Sequence, residues 1–135
     1  MIKVGDSLPS MKLTAATLDG PKEVSTDEVF GGKKVVLFAV PGAFTPTCSA
    51  RHLPGYAENL EALKSKGVDT IACIAVNDAF VLSAWAKEQH VDGRILMLAD
   101  GSAVCWPGYA VCSFVWRRRR CADPELSTLS SEPCC

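Results

Sequence analysis

The sequence predicts an α/β fold, in which parallel strands alternate with helices, and three observations support this. Three apolar runs have the length of buried strands: Lys34 to Val40, Thr70 to Val76 and Ile95 to Ala99. Helical patterns lie between these runs, over residues 47–66 and about 79–90. Strands that alternate with helices in this order favour a layer containing parallel strands.

The segment before the first apolar run predicts a hairpin and a short helix. Residues Lys12 to Thr17 alternate between apolar and polar side chains and then meet Asp19-Gly20, a hairpin-turn signal. The sequence Thr26-Asp27-Glu28-Val29 is typical of a short capped helical turn.

The two helical patterns carry their own start and stop signals. The first, from Thr47 to Lys66, has apolar residues at helical spacing and ends at Gly67, and Pro54 should kink or divide it. Asn77-Asp78 can cap the second. Its predicted inner side consists of Val81, Leu82, Ala84 and Trp85.

Length and composition indicate one globular domain. The chain has 135 residues, of which 48% are hydrophobic and 21% charged, which argues against disorder of the whole chain. A net charge of -1 gives no field that would recruit nucleic acid or an anionic membrane. The opening residues, Met1 to Asp6, show no apolar leader, and the sequence therefore predicts a cytoplasmic location.

The composition changes after Ser102, which divides the chain into residues 1–102 and a tail of residues 103–135. The tail has no lysine and contains the arginine run Arg117 to Arg120. An odd number of cysteines without a leader does not indicate a secreted disulfide framework. Five of the seven cysteines lie in the tail: Cys105, Cys112, Cys121, Cys134 and Cys135.

The loop after the first apolar run carries the residues suited to chemistry. Cys48 lies at the start of a helical pattern, where free amide groups and the helix dipole favour a thiolate. Thr45, three residues earlier, can turn its hydroxyl towards the sulfur or a bound oxygen. Pro41 has no N–H group and offers a rigid wall against water. A shielded thiolate beside a hydroxyl suits attack on an O–O bond.

This loop resembles the active-site signature of the peroxiredoxins, Pro-x-x-x-Thr-x-x-Cys, at Pro41, Thr45 and Cys48. The longer string PGAFTPTCS, followed by H-x-P-G, is similar to the type II subgroup, also called peroxiredoxin-5-like or atypical two-cysteine. The segments VGDSLP, LKSKGVDTIACIAVNDAFV and ILMLADGS agree, so the resemblance covers about residues 2–102. It implies a thioredoxin-like fold.

The resemblance also implies a thiol-dependent peroxidase. Cys48 would be the peroxidatic cysteine, which attacks hydrogen peroxide or an alkyl hydroperoxide and becomes a sulfenic acid. Thr45 would orient the peroxide, and Pro41 would shield the pocket. Glutaredoxin with glutathione, or thioredoxin, would reduce the sulfenic acid. The resemblance implies a homodimer. It implies no metal or other cofactor, and no nucleic acid or membrane as a partner.

Cys73 has two interpretations. It follows Cys48 at the spacing of a second cysteine in plant-type members, which can act as the resolving thiol. Alternatively, Cys73 is a small apolar residue inside a core strand. Similarly, His52 can be a general base, or a helix-surface or dimer-contact residue, and the latter is favoured because a thiolate needs no base.

After Ser102 the sequence departs from the family pattern. A type II member should continue with a helix, a segment like G-x-R-S-x-R-Y-A, a hairpin strand and a final helix, and none can be read in residues 103–135. The first arginine of that segment would stabilise the thiolate. The fold is therefore predicted to be incomplete at its C-terminal end, with a disordered or frame-shifted tail. The alternative to an active enzyme is a truncated, catalytically impaired variant.

Three weaker interpretations concern the tail alone. Residues Val111 to Trp116 can form an apolar strand with a charged end or a membrane-surface anchor. The arginines Arg117 to Arg120 are too few for the basic runs that bind nucleic acid. Cys105, Cys112 and Cys121 lack the paired spacing of a zinc site.

Overall fold

A mixed sheet of seven strands carries the fold in the computed structural model, which describes residues 9–101 and the backbone of residues 113–117 and 120–122. The strand order is β2-β1-β5-β4-β3-β6-β7, and β3, β4 and β5 are parallel neighbours. The strands are β1 Lys12–Thr17, β2 Gly20–Ser25, β3 Lys34–Ala39, β4 Thr70–Ala75, β5 Leu96–Ala99, β6 Ser113–Arg117 and β7 Arg120–Ala122.

Helices cover both faces of this sheet. They are α1 Thr26–Phe30, a π-helical turn Cys48–His52, α2 Leu53–Glu58, α3 Leu60–Ser65 and α4 Ala79–Glu88. Side chains of α2, α3 and α4 share one core with one face of the sheet, whereas α1 contributes to the core of the other face. The predicted α/β class is therefore confirmed. In the part of the chain that the structure describes, no helix is long and apolar enough to span a membrane.

The N-terminal hairpin forms as predicted. Strands β1 and β2 are antiparallel, with Thr17 opposite Gly20 at the turn. Gly20 has a φ of 117°, a conformation that side-chain-bearing residues rarely adopt. The short helix α1 is also confirmed, and its cap is Ser25, whose hydroxyl accepts the amide hydrogen of Glu28 at 3.1 Å.

Strand β3 is buried on both faces, as its continuous apolar run predicts. Val36 and Phe38 face the core formed with α2, α3 and α4, and Val35 and Leu37 face the other core. This alternation follows from the two-residue period of a strand. The double burial fixes β3 rigidly beneath the loop that leaves its carboxyl end.

The predicted helix over residues 47–66 consists of three segments. Pro54 occupies the first turn of α2, directly after the π-helical turn, so the predicted division at this proline is confirmed. In that turn the amide of Leu53 donates to the carbonyl of Cys48, five residues earlier. A second division at Asn59 was not predicted. Its side-chain nitrogen donates to the carbonyl of Gly55 at 2.8 Å.

Helix α4 is capped by Asp78, whose carboxylate accepts the amide hydrogen of Val81 at 2.9 Å. Its inner side differs from the prediction, since Ala84 is exposed and Ala86 is buried in its place. Trp85 and Ala86 are three and four residues after Leu82 and share its face, whereas Ala84 is rotated away from it.

Strands β6 and β7 lie in the tail, where the sequence predicted no family element but allowed an apolar strand over Val111 to Trp116. Strand β6 pairs antiparallel with β3, from Lys34 opposite Arg117 to Phe38 opposite Ser113, and then pairs with β7. The strand interpretation of the tail's apolar stretch therefore holds for residues 113–117. Pairing gives partners to the outer backbone groups of β3, which would otherwise remain open.

The remaining expectations for the chain ends lie outside the described residues. These are the start of the chain, the proposed changes at residues 102–112 and 123–135, and the arginines at positions 118 and 119. The structure describes only backbone at Arg117, Arg120 and Cys121.

Candidate active site

The candidate site lies in the loop between β3 and the π-helical turn. This loop leaves the sheet at the carboxyl ends of the parallel strands, where α/β proteins place their ligand and catalytic sites. The amide of Val40 donates to the carbonyl of Ile74 at 3.0 Å, which ties the end of β3 to β4. The predicted site therefore lies on a loop that is held rigidly by the ends of β3 and β4.

Cys48 begins the π-helical turn and is only 2% exposed. It is a free thiol in the same apolar core as Val40, Ala43 and Leu53. Its carbonyl accepts the amide hydrogen of Leu53, and this bond fixes the backbone of Cys48. The sulfur therefore occupies a position with little competing water, next to the start of a helical segment.

Thr45 is half-buried and is bonded within its own loop. Its hydroxyl donates to the carbonyl of Gly42 at 2.8 Å, and its carbonyl accepts the amide hydrogen of Ser49 at 2.9 Å. Because a hydroxyl has a single hydrogen, the oxygen of Thr45 remains available as an acceptor. This bond differs from the expected one to sulfur, and it leaves Thr45 able to accept a hydrogen bond from an O–H group.

Pro41 and Phe44 form the outer part of the loop. Pro41 is exposed. Phe44 is half exposed and has a φ of 61°, in the left-handed region that is uncommon for an aromatic residue. The loop thus presents two apolar residues to solvent.

Two partly buried polar contacts at the site were not predicted from the sequence. The side-chain oxygen of Asn77 accepts the amide hydrogen of Ala43 at 2.8 Å, and the indole N–H of Trp85 donates to the hydroxyl of Ser49 at 3.0 Å. The only sequence signal was the pair of candidate caps at the start of α4. Since Asp78 provides the cap, its neighbour Asn77 is free for the loop.

His52 lies in an aromatic cluster, and the expectation that it is a helix-surface residue is wrong. Its side chain is 6% exposed. The rings of Phe38 and Tyr56 stack with centroids 4.0 Å apart, and the imidazole lies tilted against both at 6.2 and 6.3 Å. Burial lowers the pKa of His52, which favours the neutral imidazole.

Cys73 is fully buried in β4, between Phe38 of β3 and Met97 of β5. It shares the apolar core of Cys48, and neither residue is in a disulfide. Burial raises the pKa of the Cys73 thiol, and negative charge on Cys48 raises it further. This environment is the one that a small apolar core residue requires, and it disfavours the thiolate that a resolving cysteine needs.

The burial of Cys73 predicts a pH-dependent stability. In the unfolded chain its thiol ionises near the ordinary value of 9.0, whereas in the fold it stays protonated at higher pH. The unfolded state then binds fewer protons, so the free energy of unfolding should fall above pH 9.0 by up to about 1.4 kcal/mol per pH unit. Chemical denaturation between pH 8 and 11 measures this fall, and the slope should be shallower for Cys73→Ala. Equal slopes would contradict the prediction.

No group of three or more His, Cys, Asp or Glu side chains that could hold a metal ion occurs within residues 9–101.

The fold and the loop define a thioredoxin-like protein with a cysteine at the start of a helical segment after a central strand. Peroxiredoxin-2E, chloroplastic, of Arabidopsis thaliana is 48% identical over 103 residues, which cover 75% of this chain and 44% of that protein. A family model described as Redoxin matches residues 3–107.

Solved structures give the same result over most of their length. Reduced Prx3 of Vibrio vulnificus in complex with hydrogen peroxide is 42% identical, with a TM-score of 0.84 over 91% of this chain and 86% of that chain. Peroxiredoxin 5 of Alvinella pompejana is 30% identical, with a TM-score of 0.79 over 96% of both chains. The chain belongs to the redoxin family, and within it to the peroxiredoxins.

Two further facts follow from these comparisons. The chain spans less than half the length of the chloroplastic Arabidopsis relative. The predicted cytoplasmic location is contradicted by this match, since a relative at 48% identity is named as chloroplastic. That prediction depended on the opening residues alone, which carry no information about a leader when a relative is so much longer.

Proposed function

We propose that this chain is a thiol peroxidase that reduces hydrogen peroxide and alkyl hydroperoxides at Cys48. The observation that carries the proposal is the buried free thiol at the start of the π-helical turn, three residues after Thr45. The thiolate attacks one peroxide oxygen, so an S–O bond forms while the O–O bond breaks. The leaving oxygen takes up a proton and departs as water or an alcohol, and Cys48 becomes a sulfenic acid.

Thr45 and Pro41 have supporting roles in this proposal. The hydroxyl of Thr45 is fixed by its bond to the carbonyl of Gly42, and its oxygen can accept the O–H of a hydroperoxide. That contact would align the O–O bond with the sulfur. Pro41 borders the loop without adding an N–H group that could compete for the peroxide.

The sulfenic acid is reduced by an external thiol. A first thiol condenses with Cys48 and releases water, and a second thiol cleaves the resulting mixed disulfide. Glutaredoxin with glutathione, or thioredoxin, would supply these thiols. This route is favoured because Cys73 is fully buried and burial raises the pKa of its thiol, which disfavours the thiolate that a resolving cysteine needs.

The loop motif supports membership in the type II subgroup and, with it, a homodimer. It also supports a functional core of residues 1–102 followed by a tail that departs from the family. Phe44 is a large apolar side chain that is 50% exposed. Phe44 belongs to the cysteine loop itself.

One equivalent of hydrogen peroxide added to the reduced protein tests the function. We expect fast addition of one oxygen at Cys48 and no such product in Cys48→Ser. Intact mass and peptide mapping measure this addition. The matched control is Cys73→Ser, which should keep the rate. Oxidation of Cys48 no faster than that of the same residue in urea would reject the peroxidase and leave the truncated, catalytically impaired variant.

A further inference from the structure

We propose that Trp85 is a positioning residue for Cys48, acting through Ser49, and this inference rests on the proposed peroxidase function. Trp85 lies in the middle of α4, 36 residues beyond the serine that it contacts. Its indole N–H donates to the hydroxyl oxygen of Ser49 at 3.0 Å. Ser49 is the residue directly after the cysteine.

The bond is strongly favoured by the burial of its donor. The Trp85 side chain is fully buried, and an indole has a single N–H donor and no acceptor. A buried donor without an acceptor is costly, because it has lost its bonds to water. The hydroxyl of Ser49 is therefore held in a defined place by the rigid interior of α4.

Ser49 passes this constraint to both neighbours of the sulfur. Its own amide donates to the carbonyl of Thr45 at 2.9 Å, so the serine closes a turn around Cys48. Thr45 in turn donates to the carbonyl of Gly42. The indole of Trp85 is thus connected, through Ser49, both to Thr45 and to the backbone of Cys48.

The start of the loop is held by the same region of the fold. Asn77, just before α4, accepts the amide hydrogen of Ala43 at 2.8 Å. The segment from Ala43 to Ser49 is therefore fastened at both ends to α4 and the turn before it. A rotation of either end would move the sulfur relative to Thr45, and small displacements of reacting atoms cost rate.

The test compares Trp85→Phe, which keeps an aromatic ring but lacks the N–H, with Ser49→Ala and with the double variant. Each single variant should lower the second-order rate of Cys48 oxidation by hydrogen peroxide by about tenfold. The double variant should be no slower than either single one, because all three remove the same bond. Ser49→Thr keeps the hydroxyl and should therefore keep most of the wild-type rate of Cys48 oxidation.

A second readout separates positioning from general damage. Alkylation of Cys48 by iodoacetamide needs the thiolate but no aligned O–O bond, so its rate and pH profile should change less than twofold in the folded variants. Phe80→Leu, an exposed change in the same helix, should alter neither rate. Should Trp85→Phe fail to unfold cooperatively, Ser49→Ala carries the test.

The outcomes are distinguishable. Wild-type oxidation rates in folded Trp85→Phe and Ser49→Ala overturn the inference while leaving the peroxidase intact. Equal losses in oxidation and alkylation also overturn it, because they indicate a structural role only. A wild-type chain whose Cys48 does not react with peroxide rejects the proposed function and the inference together.

Discussion

Replacing Phe38 with alanine is expected to lower the free energy of unfolding by about 3–5 kcal/mol. The ring is completely buried in β3 and stacks on Tyr56 of α2 at a centroid distance of 4.0 Å. It thereby joins the sheet to the helix that follows the cysteine. Because small domains are stable by only about 5–15 kcal/mol, the loss would remove much of the stability.

Urea denaturation followed by circular dichroism measures this change. The matched control is Phe80→Ala, since Phe80 is 73% exposed and its loss should cost no more than about 0.5 kcal/mol. Equal effects of the two substitutions would show that the Phe38–Tyr56 stack does not hold α2 on the sheet.

Thr45→Val should lower the rate of Cys48 oxidation by hydrogen peroxide by about 100-fold. Valine has nearly the shape of threonine, so the change removes the hydroxyl alone. Two contacts are lost: the acceptor for the hydroperoxide and the donor to the carbonyl of Gly42, which holds the loop at 2.8 Å. Both losses act on alignment of the O–O bond.

Stopped-flow mixing with hydrogen peroxide measures this rate. Thr45→Ser keeps the hydroxyl and should remain within a few-fold of the wild-type chain. A Thr45→Val protein that reacts at the rate of Thr45→Ser would remove Thr45 from the proposed mechanism. Alkylation of Cys48 by iodoacetamide, measured beside it, reports whether the thiolate itself is still accessible.

The strands and caps could be predicted because their signals are local. The run from Lys34 to Val40 has strand length and no polar interruption, and the structure places β3 there. The spacing of Thr45 and Cys48 is local too, and the structure joins the residues around them in one turn. The sequence pattern could not give the direction of the Thr45 hydroxyl, which depends on the carbonyl of Gly42.

Contacts between distant parts of the chain could not be predicted. Ala43 and Asn77 are 34 residues apart, and the sequence around neither residue indicates that the two are hydrogen-bonded. His52 was assigned to the helix surface or a dimer contact because a thiolate needs no base, but its side chain is buried against Phe38 and Tyr56. Strand β6 lies in the apolar stretch of the tail, which allowed a strand, but its pairing with the edge of β3 could not be predicted.

The π-helical turn at Cys48–His52 fixes the number of residues in this part of the chain. It holds one residue more per closed ring than an ordinary helical turn, since Leu53 bonds five residues back instead of four. Removing one residue between Cys48 and Pro54 would restore ordinary winding and swing the cysteine by about 100° around the helix axis. Evolution can therefore exchange side chains in this stretch, but a length change would rotate the whole turn that carries Thr45 and Cys48 relative to α2.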